Sequence, residues 1–439
     1  MTHTAAEVLE FVRENDVKFI KLGFCDLFGN QKNLSLMPGE LGAAFESGVL
    51  FDASAIEGFC DVTHSDLLLF PDPATLTVLP WRPGPGHVVR FYGNLRNPDG
   101  SVFARDSRQL LERVIDRCTR MGYGCKIGAE CEFYLFKTDE NGLPTQNTLD
   151  YGGYLDIPPL DQGENIRREI CVCLEEMGLQ PQKSCHKKGP GQNEIDFQFS
   201  DPLTSADNLL SFKSVVKAIA DRNGLYASFM PKPLLEESGN GLHINLSLFR
   251  NGLNVFKNAP GEHSKIGESF IAGILERTPE MTLFLNPNTN SYERLGTFSA
   301  PKYASWSHQN SSQLIKIPAA GVDKVRMELR SPDPSINPYL AFALILSAGL
   351  DGIEQELLLP PALNEDLYKA DESITGNLIL IPDTLEKAMA QAEHSAFVRG
   401  VVGDGLLGDY LQIKKKEAAA FAGGREKEIF YREKYFKFQ

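Results

Sequence analysis

The sequence lacks the features that mark membrane, secreted and zinc-binding proteins. Its most apolar stretch, Tyr339 to Leu350, is shorter than the about 20 residues that a membrane-spanning helix needs. We interpret it as a buried helix. The eight cysteines include no Cys-X-X-Cys pair, and the first residues carry neither a basic start nor an apolar signal core. We therefore expect a cytoplasmic protein, with no membrane partner, whose cysteines are reduced thiols.

Positive charge is also scarce. The 44 Lys and Arg residues face 58 Asp and Glu residues, which gives a net charge of −14. A field of this sign repels nucleic acids and anionic membranes, so neither is expected as a partner. Hydrophobic residues make up 42% and charged residues 23% of the chain, as in ordinary globular proteins, and 439 residues are enough for more than one domain.

The common nucleotide-binding motifs are missing or misplaced. The chain has no Gly-X-X-X-X-Gly-Lys-[Ser/Thr] loop. A Gly-X-Gly-X-X-Gly string does occur at Gly403, Gly405 and Gly408, but it follows helical sequence, whereas a dinucleotide-binding fold requires a strand there. We interpret it as a turn between two helices. Any ATP would have to be held by metal ions and arginines.

The organisation of the chain indicates an α+β protein with two domains. Short strands and turns alternate over the first hundred residues, a helical pattern begins at Ser107, and a helical tail from about Asp383 ends in the aromatic run Phe430 to Phe438. We predict a small, β-rich N-terminal domain, residues 1–102. We assign residues 103–439 to a larger catalytic domain that ends in the helical tail.

Four segments alternate polar and apolar residues, which predicts strands with one polar face. They are Lys126–Phe136, Asn193–Phe199, Leu242–Leu246 and Arg326–Arg330. Their polar positions include Glu130, Glu132, Glu194, Asp196, His243, Asn245, Arg326, Glu328 and Arg330. One polar face is normally the solvent side of a sheet. Here, however, the four polar faces together carry carboxylates, one histidine and arginines. This combination favours a shared cavity in which the carboxylates bind cations.

The residue types in these strands indicate phosphoryl-transfer chemistry. Oxygen ligands with a single imidazole suit Mg²⁺ or Mn²⁺ better than zinc. Arginines beside such ions can neutralise the charge of a transferring phosphoryl group, and two adjacent metals could bind the incoming and leaving oxygens.

Longer strings then place the sequence in a family: it resembles type I glutamine synthetase over almost its whole length. The matching segments are FCDLFGNQKNLSL, FDASAIEGF, DLLLFPDPATLTVLPW, GAECEFYLF, GPGQNEIDF, FMPKP, GNGLHINLSLF, NPNTNSYERL and RMELRSPDPSINPYLAFA. The resemblance implies a β-grasp-like N-terminal domain and a catalytic domain with a curved antiparallel sheet surrounded by helices. It also implies a homo-oligomer of two stacked hexameric rings, a dodecamer, with each active site between neighbouring subunits and the C-terminal tail joining the rings.

The resemblance further implies ATP-dependent ligation. In the family, ATP phosphorylates the γ-carboxylate of glutamate, and ammonia attacks the resulting γ-glutamyl phosphate. The matched positions imply two Mg²⁺ or Mn²⁺ sites. The metal beside the ATP phosphates would be held by Glu130, His243 and Glu328, and the one near the substrate by Glu132 and Glu194.

The matched positions also imply how the substrates are held. Arg294 would bind the α-carboxylate of glutamate with the Gly239 backbone beside the amino group, and Arg330 would neutralise the γ-carboxylate. The remaining implied contacts are Arg326 and Lys316 with ATP, Tyr154 with ammonium, and Asp52, from the adjacent subunit, with ammonium.

Several positions depart from the family pattern and keep three functions open. Lys187 stands where the family has a third ligand of the second metal, Ser299 where its flap carries a glutamate, and Ser311 where it has an arginine. Lys316 replaces another arginine, which keeps the charge but not the bidentate fork. The chain could therefore be a glutamate–ammonia ligase, a γ-glutamyl ligase for a different amine, or a non-catalytic assembly or regulatory protein.

Overall fold

The computed structural model describes residues 3–81, 86–256, 264–319, 325–422 and 426–437. The helices are α1 Ala5–Glu14, α2 Leu41–Ser47, α3 Ser107–Arg120, α4 Glu164–Glu176, α5 Pro202–Arg222, α6 Lys265–Leu285, α7 Pro338–Glu354, α8 Glu372–Thr375, α9 Leu385–His394, α10 Ala396–Val402, α11 Asp404–Ala422 and α12 Lys427–Tyr431. The strands are β1 Val17–Cys25, β2 Gln31–Leu36, β3 Val49–Asp52, β4 Asp66–Pro71, β5 Thr77–Val78, β6 His87–Arg96, β7 Gly124–Thr138, β8 Pro144–Thr148, β9 Pro181–His186, β10 Gln192–Phe197, β11 Leu225–Ser228, β12 Leu242–Arg250, β13 Leu253–Asn254, β14 Trp306–His308, β15 Ile315–Ile317 and β16 Met327–Leu329.

The N-terminal sheet has the strand order β2-β1-β6-β4-β3, with β5 also pairing β6. β1 and β2 form an antiparallel hairpin, whereas β1 and β6 run parallel. The hairpin turn is closed by Asp26, whose Oδ1 accepts hydrogen bonds from the backbone N–H groups of Phe28 and Asn30, both at 2.9 Å. This is the β-grasp domain expected from the sequence.

The second sheet has ten strands and is built around the long strand β7. β10 and β12 pair antiparallel with β7 on either side, and β16 pairs with β12. The register sets Glu132 opposite Glu194 and Glu130 opposite His243. The polar positions of the four predicted strands therefore lie on adjacent strands, which confirms their convergence.

Two of those four strands are shorter than predicted. β10 ends at Phe197, directly after a register shift between Asp196 and Phe197 in its pairing with β9. β16 covers only Met327–Leu329, so Arg326 and Arg330 flank it.

Helix α7 is the centre of the core, since it is buried along almost its whole length. This confirms the buried helix predicted over Tyr339–Leu350. It packs closely on α6, where a Cβ added at Gly273 would lie 2.2 Å from Ala348 O. Gly403 has φ of 85° between α10 and α11, which confirms the predicted turn between helices. Within the described ranges no helix is long and apolar enough to span a bilayer.

A buried arginine on α3 links the N-terminal sheet to the rest of the chain. Arg108 is 3% exposed, and its Nη2 lies 2.9 Å from Asp72 Oδ2 and 3.0 Å from Asp207 Oδ2. Its Nη1 donates to Asn94 Oδ1 at 2.9 Å. Asn94 and Asp72 belong to the N-terminal region and Asp207 lies on α5, so one guanidinium fixes both parts.

The aromatic residues of the C-terminal tail are buried against this chain's own sheet. Phe430, Tyr431, Tyr435 and Phe436 are each at most 5% exposed. The ring of Phe436 packs edge-on against that of Phe136, with centroids 5.1 Å apart. These four side chains pack within the subunit itself, and the contact between rings that the resemblance implied stays a prediction. Phe438, the last residue of the predicted run, lies outside the described residues.

Candidate active site

One cavity of about 520 Å³ gathers almost every predicted site residue. Those that line it are Glu130, Glu132, Tyr154, Glu194, Gly239, His243, Arg294, Lys316, Arg326, Glu328 and Arg330. Three positions that depart from the family pattern, Lys187, Ser299 and Ser311, line it as well. Asp52 does not: it is exposed at the end of β3 in the N-terminal sheet. A site completed by Asp52 would therefore need a second subunit.

The first group of candidate ligands surrounds His243. Its Nδ1 lies 3.3 Å from Glu130 Oε2 and 3.7 Å from Glu328 Oε1. Burial and then the charge of Arg330 lower the pKa of His243, which favours the neutral imidazole that a metal requires. Ligand atoms of Glu130, Glu194 and His243 also lie within 4.8 Å of one another. These carboxylates and the one imidazole fit a divalent cation.

The second predicted group has an ammonium at its centre. Lys187 Nζ lies 3.1 Å from Glu132 Oε1 and 2.8 Å from Glu194 Oε2. Burial opposes the charge of Lys187, but the two carboxylates outweigh it and raise the pKa of Lys187 well above its usual range. A protonated lysine between the two ligands repels a metal ion, so these residues do not fit a second divalent cation.

Basic groups lie beside the first ligand group. Arg330 Nη1 contacts Glu328 Oε1, and Lys316 Nζ lies 3.1 Å from Glu328 Oε2. Arg326 Nε donates to Asn245 Oδ1 at 2.8 Å, and Asn245 Nδ2 in turn donates to Glu130 Oε1 at 2.9 Å. The three cations therefore occupy fixed positions next to the carboxylates, as binding of a polyphosphate requires.

Arg294 is held in place by backbone carbonyls. Its Nη1 donates to Ser331 O at 2.7 Å and its Nη2 to Arg330 O at 3.0 Å. The backbone at Gly239 passes close by: an added Cβ would lie 3.0 Å from Arg294 Cγ and 2.6 Å from Pro231 O. Only glycine fits at this position without moving the Pro231 carbonyl or the aliphatic part of the Arg294 side chain.

The flap, residues Leu295–Ser299, is tied to the segment that carries Lys187. Lys188 Nζ donates to Ser299 Oγ at 3.0 Å, and Arg330 Nη2 donates to Ser299 O at 3.4 Å. Phe298 and Ser299 have φ of 45° and 76°, a strained backbone region for residues other than glycine. The flap is thus held by two cationic side chains.

Two residues that contact the cavity's carboxylates, Gln192 behind the wall and Lys183 in the lining, escaped the sequence interpretation. Gln192 Nε2 donates to Gly239 O at 3.1 Å and reaches Glu132 Oε2 at 3.4 Å. Lys183 Nζ lies 2.6 Å from Asp196 Oδ2. A signal for Lys183 was present, because Lys183, Cys185 and Lys187 alternate along the chain and so share one face of β9 and its extension.

Two family models match consecutive parts of the chain. "Glutamine synthetase, beta-Grasp domain" matches residues 16–98, and "Glutamine synthetase, catalytic domain" matches residues 104–432. The glutamine synthetase of Clostridium saccharobutylicum is 42% identical over 420 residues, which cover 94% of this chain and 95% of the relative. That of Methanosarcina mazei is 44% identical over 419 residues and 94% of each chain.

Solved structures of similar architecture include GmaS in complex with ADP, with a TM-score of 0.88 and 29% identity over 99% of both chains. GmaS without ligand gives a TM-score of 0.86. The glutamine synthetase of Plasmodium falciparum, at 23% identity and a TM-score of 0.87 over 98% of both chains, shares the fold.

Proposed function

The chain belongs to the glutamine synthetase family, whose members are ATP-dependent ligases, and from this premise we propose how its cavity works. The reaction is the amidation of the γ-carboxylate of glutamate by ammonia, by way of γ-glutamyl phosphate. The observation that carries the proposal is the convergence of Glu130, His243 and Glu328 with Arg330 and Arg294 in one cavity.

We assign the first ligand group to a divalent cation. Glu130, His243 and Glu328 would hold Mg²⁺ or Mn²⁺, which neutralises charge on the phosphates of ATP when bound. Lys316 and Arg326 lie beside these ligands and would bind the nucleotide. The ADP complex of a protein with this architecture supports a nucleotide site.

The arginines orient and activate glutamate. Arg294, whose guanidinium is fixed by two carbonyls, would bind the α-carboxylate, with the Gly239 backbone beside the amino group. Arg330 would face the γ-carboxylate and stabilise the negative charge that accumulates as phosphate is transferred. Transfer of the terminal phosphoryl group of ATP, with release of ADP, converts the carboxylate, a poor acyl donor, into an acyl phosphate with a good leaving group. Ammonia then forms the C–N bond as phosphate departs, and the proton leaves to solvent or Asp52.

The ammonium pocket would be shared between subunits. Tyr154 lines the cavity of its own chain, and Asp52 would enter from a neighbour, because it lies outside the cavity here. Family members form homo-oligomers, and we propose a dodecamer of two stacked hexamers. We further propose a boundary between domains at residues 102 and 103, and a cytoplasmic location in keeping with eight free thiols.

A different amine is the second candidate, and the lysines around the pocket favour it. Lys187 faces the ring of Tyr154, with Nζ 5.6 Å from the centroid, and Lys188 binds Ser299 on the flap. The ammonium groups of Lys187 and Lys188 disfavour a cationic nucleophile in the pocket. The short side chain of Ser299 leaves room for an amine larger than ammonia. The third hypothesis, a non-catalytic protein, is disfavoured by the complete first ligand group.

The test is ATP cleavage by the purified protein with glutamate and Mg²⁺ or Mn²⁺, comparing ammonium with small amines, with Glu328→Ala as the inactive control. Phosphate release that requires ammonium and yields glutamine would support the proposal. Release with another amine alone would assign the function to that amine. No release with any nucleophile, while ATP still binds, would make the protein a non-catalytic member of its family.

A further inference from the structure

We infer that the Lys187 ammonium is a permanent cation built into the active site, so that each subunit binds one divalent cation and not two. The inference deepens the proposed function and rests on it for the identity of the cavity as the catalytic site. Its evidence is the position of one side chain between two carboxylates on neighbouring strands.

Both carboxylate oxygens of Glu132 already have hydrogen-bond or ion-pair partners. Its Oε1 faces Lys187 Nζ at 3.1 Å, and its Oε2 accepts from the backbone N–H of Gly241 at 2.6 Å and from Gln192 Nε2 at 3.4 Å. Glu132 is also only 7% exposed. A metal at Oε1 would have to displace the ammonium, and a metal at Oε2 would compete with the buried N–H of Gly241.

Glu194 contacts Lys187 and is also part of the first ligand group. Its Oε2 binds Lys187 Nζ at 2.8 Å, whereas its Oε1 has only long contacts, 3.7 Å from Cys185 Sγ and 3.9 Å from Lys183 Nζ. The same carboxylate also offers an oxygen to the group formed with Glu130 and His243. Glu194 therefore belongs both to the first ligand group and to the ion pair with Lys187.

The backbone holds the ammonium in this position. Lys187 N donates to Gln192 O at 2.8 Å, which extends the pairing of β9 with β10 by one residue. On the opposite face, His186 Nδ1 lies 2.8 Å from Lys187 O and its Nε2 lies 3.0 Å from Asp150 Oδ1. Gln192 and His186, which contact the backbone of Lys187, are both buried. The side chain therefore leaves the strand at a fixed point. It cannot swing out without breaking two buried ion pairs.

The charge balance agrees with this assignment. Lys187 provides one positive charge to the two carboxylates, Glu132 and Glu194, that would otherwise repel each other across the paired strands. A divalent cation between them would face an ammonium at contact distance. The ammonium thus performs the structural part of a metal's role, which is to hold the two carboxylates together.

The test is the stoichiometry of Mn²⁺ binding to the intact protein, measured by equilibrium dialysis with detection of free Mn²⁺ by electron paramagnetic resonance. The wild-type protein should bind one Mn²⁺ per subunit. Lys187→Glu, which removes the ammonium and adds a ligand, should bind two, and Lys187→Gln should show a second, weaker site. Lys369→Glu is the matched control, because it makes the same charge change at an exposed side chain outside the cavity and should leave the stoichiometry at one Mn²⁺ per subunit.

Two Mn²⁺ per wild-type subunit would overturn the inference, and so would one per subunit in both Lys187 variants. The readout requires no turnover, so its failure is separate from that of the proposed function. A protein that binds one Mn²⁺ but makes no amide would refute only the function. One that binds two and makes glutamine would refute only the role of Lys187.

Discussion

Gly239 sets the position of the Arg294 side chain in the cavity. Gly239 has no room for a side chain beside Arg294. We expect Gly239→Ala to displace the guanidinium and lower kcat/KM for glutamate by at least about 10²-fold, as a displacement of about 1 Å does elsewhere. The measurement is steady-state kinetics with glutamate varied. Gly42→Ala is the control, because nothing lies within 4 Å of a Cβ there. Equal kinetics for both variants would remove Arg294 from the substrate site.

His186 carries a charge that should make stability depend on pH. Its two ring nitrogens face a carbonyl and a carboxylate, which only accept hydrogen bonds, so both nitrogens must be protonated. Burial opposes this charge, but Asp150 and the carbonyl of Lys187 outweigh it and raise the pKa of His186 above 6.5. A raised folded-state pKa stabilises the protein below the unfolded value, and the stabilisation is lost as pH rises through the folded value.

We therefore expect wild-type protein to exceed His186→Gln in stability by about 1.5–3 kcal/mol near pH 6, the range for hydrogen bonds to charged groups. The difference should shrink toward pH 9. Urea unfolding at both pH values gives the comparison, with exposed His64→Gln as the control. A difference that stays constant with pH would mean that His186 is neutral.

The C-terminal element contributes to the sheet that carries the site. Phe436 is 2% exposed and packs on Phe136 of β7 and on Tyr226 of β11. Phe436→Ala should lower the free energy of unfolding by about 3–5 kcal/mol, as for other buried aromatic truncations. Denaturant unfolding measures the loss, and Leu358→Ala, at a side chain 93% exposed, should lose almost nothing. A loss equally small for Phe436→Ala would show that the tail packs elsewhere in solution.

Alternating polarity was enough to predict the four strands of the site, because a strand's two faces follow directly from a period of two. The same pattern predicted that Glu130, His243 and Glu328 lie on the polar faces of their strands. The ion pairs of Lys187 could not be predicted in this way. They depend on the register between β9 and β10, which is fixed by pairing across a turn and not by the pattern within either strand. The exact ends of β10 and β16 likewise depend on neighbours distant in sequence.

At the scale of the assembly, we propose that Asp52 of one subunit completes the cavity of another. Asp52→Ala and Arg330→Ala should each be nearly inactive alone. Co-assembled in equal amounts, they should regain activity, because about a quarter of the sites would pair an intact Asp52 with an intact Arg330 across a heterologous interface. The measurement is the specific activity of the mixed oligomer against each parent. Mixed oligomers no more active than their parents would place Asp52 outside the shared site.

The buried contacts of Arg108 with Asp72 and Asp207 have a consequence for inheritance. They fix the N-terminal sheet, and with it Asp52, relative to the rest of the same chain. Under the proposed sharing of Asp52 between subunits, a chain with a loosened junction would present Asp52 wrongly to its neighbour's cavity. In a cell that carries both alleles, a substitution of Arg108 would therefore impair normal subunits assembled beside it, and the mutation would be dominant.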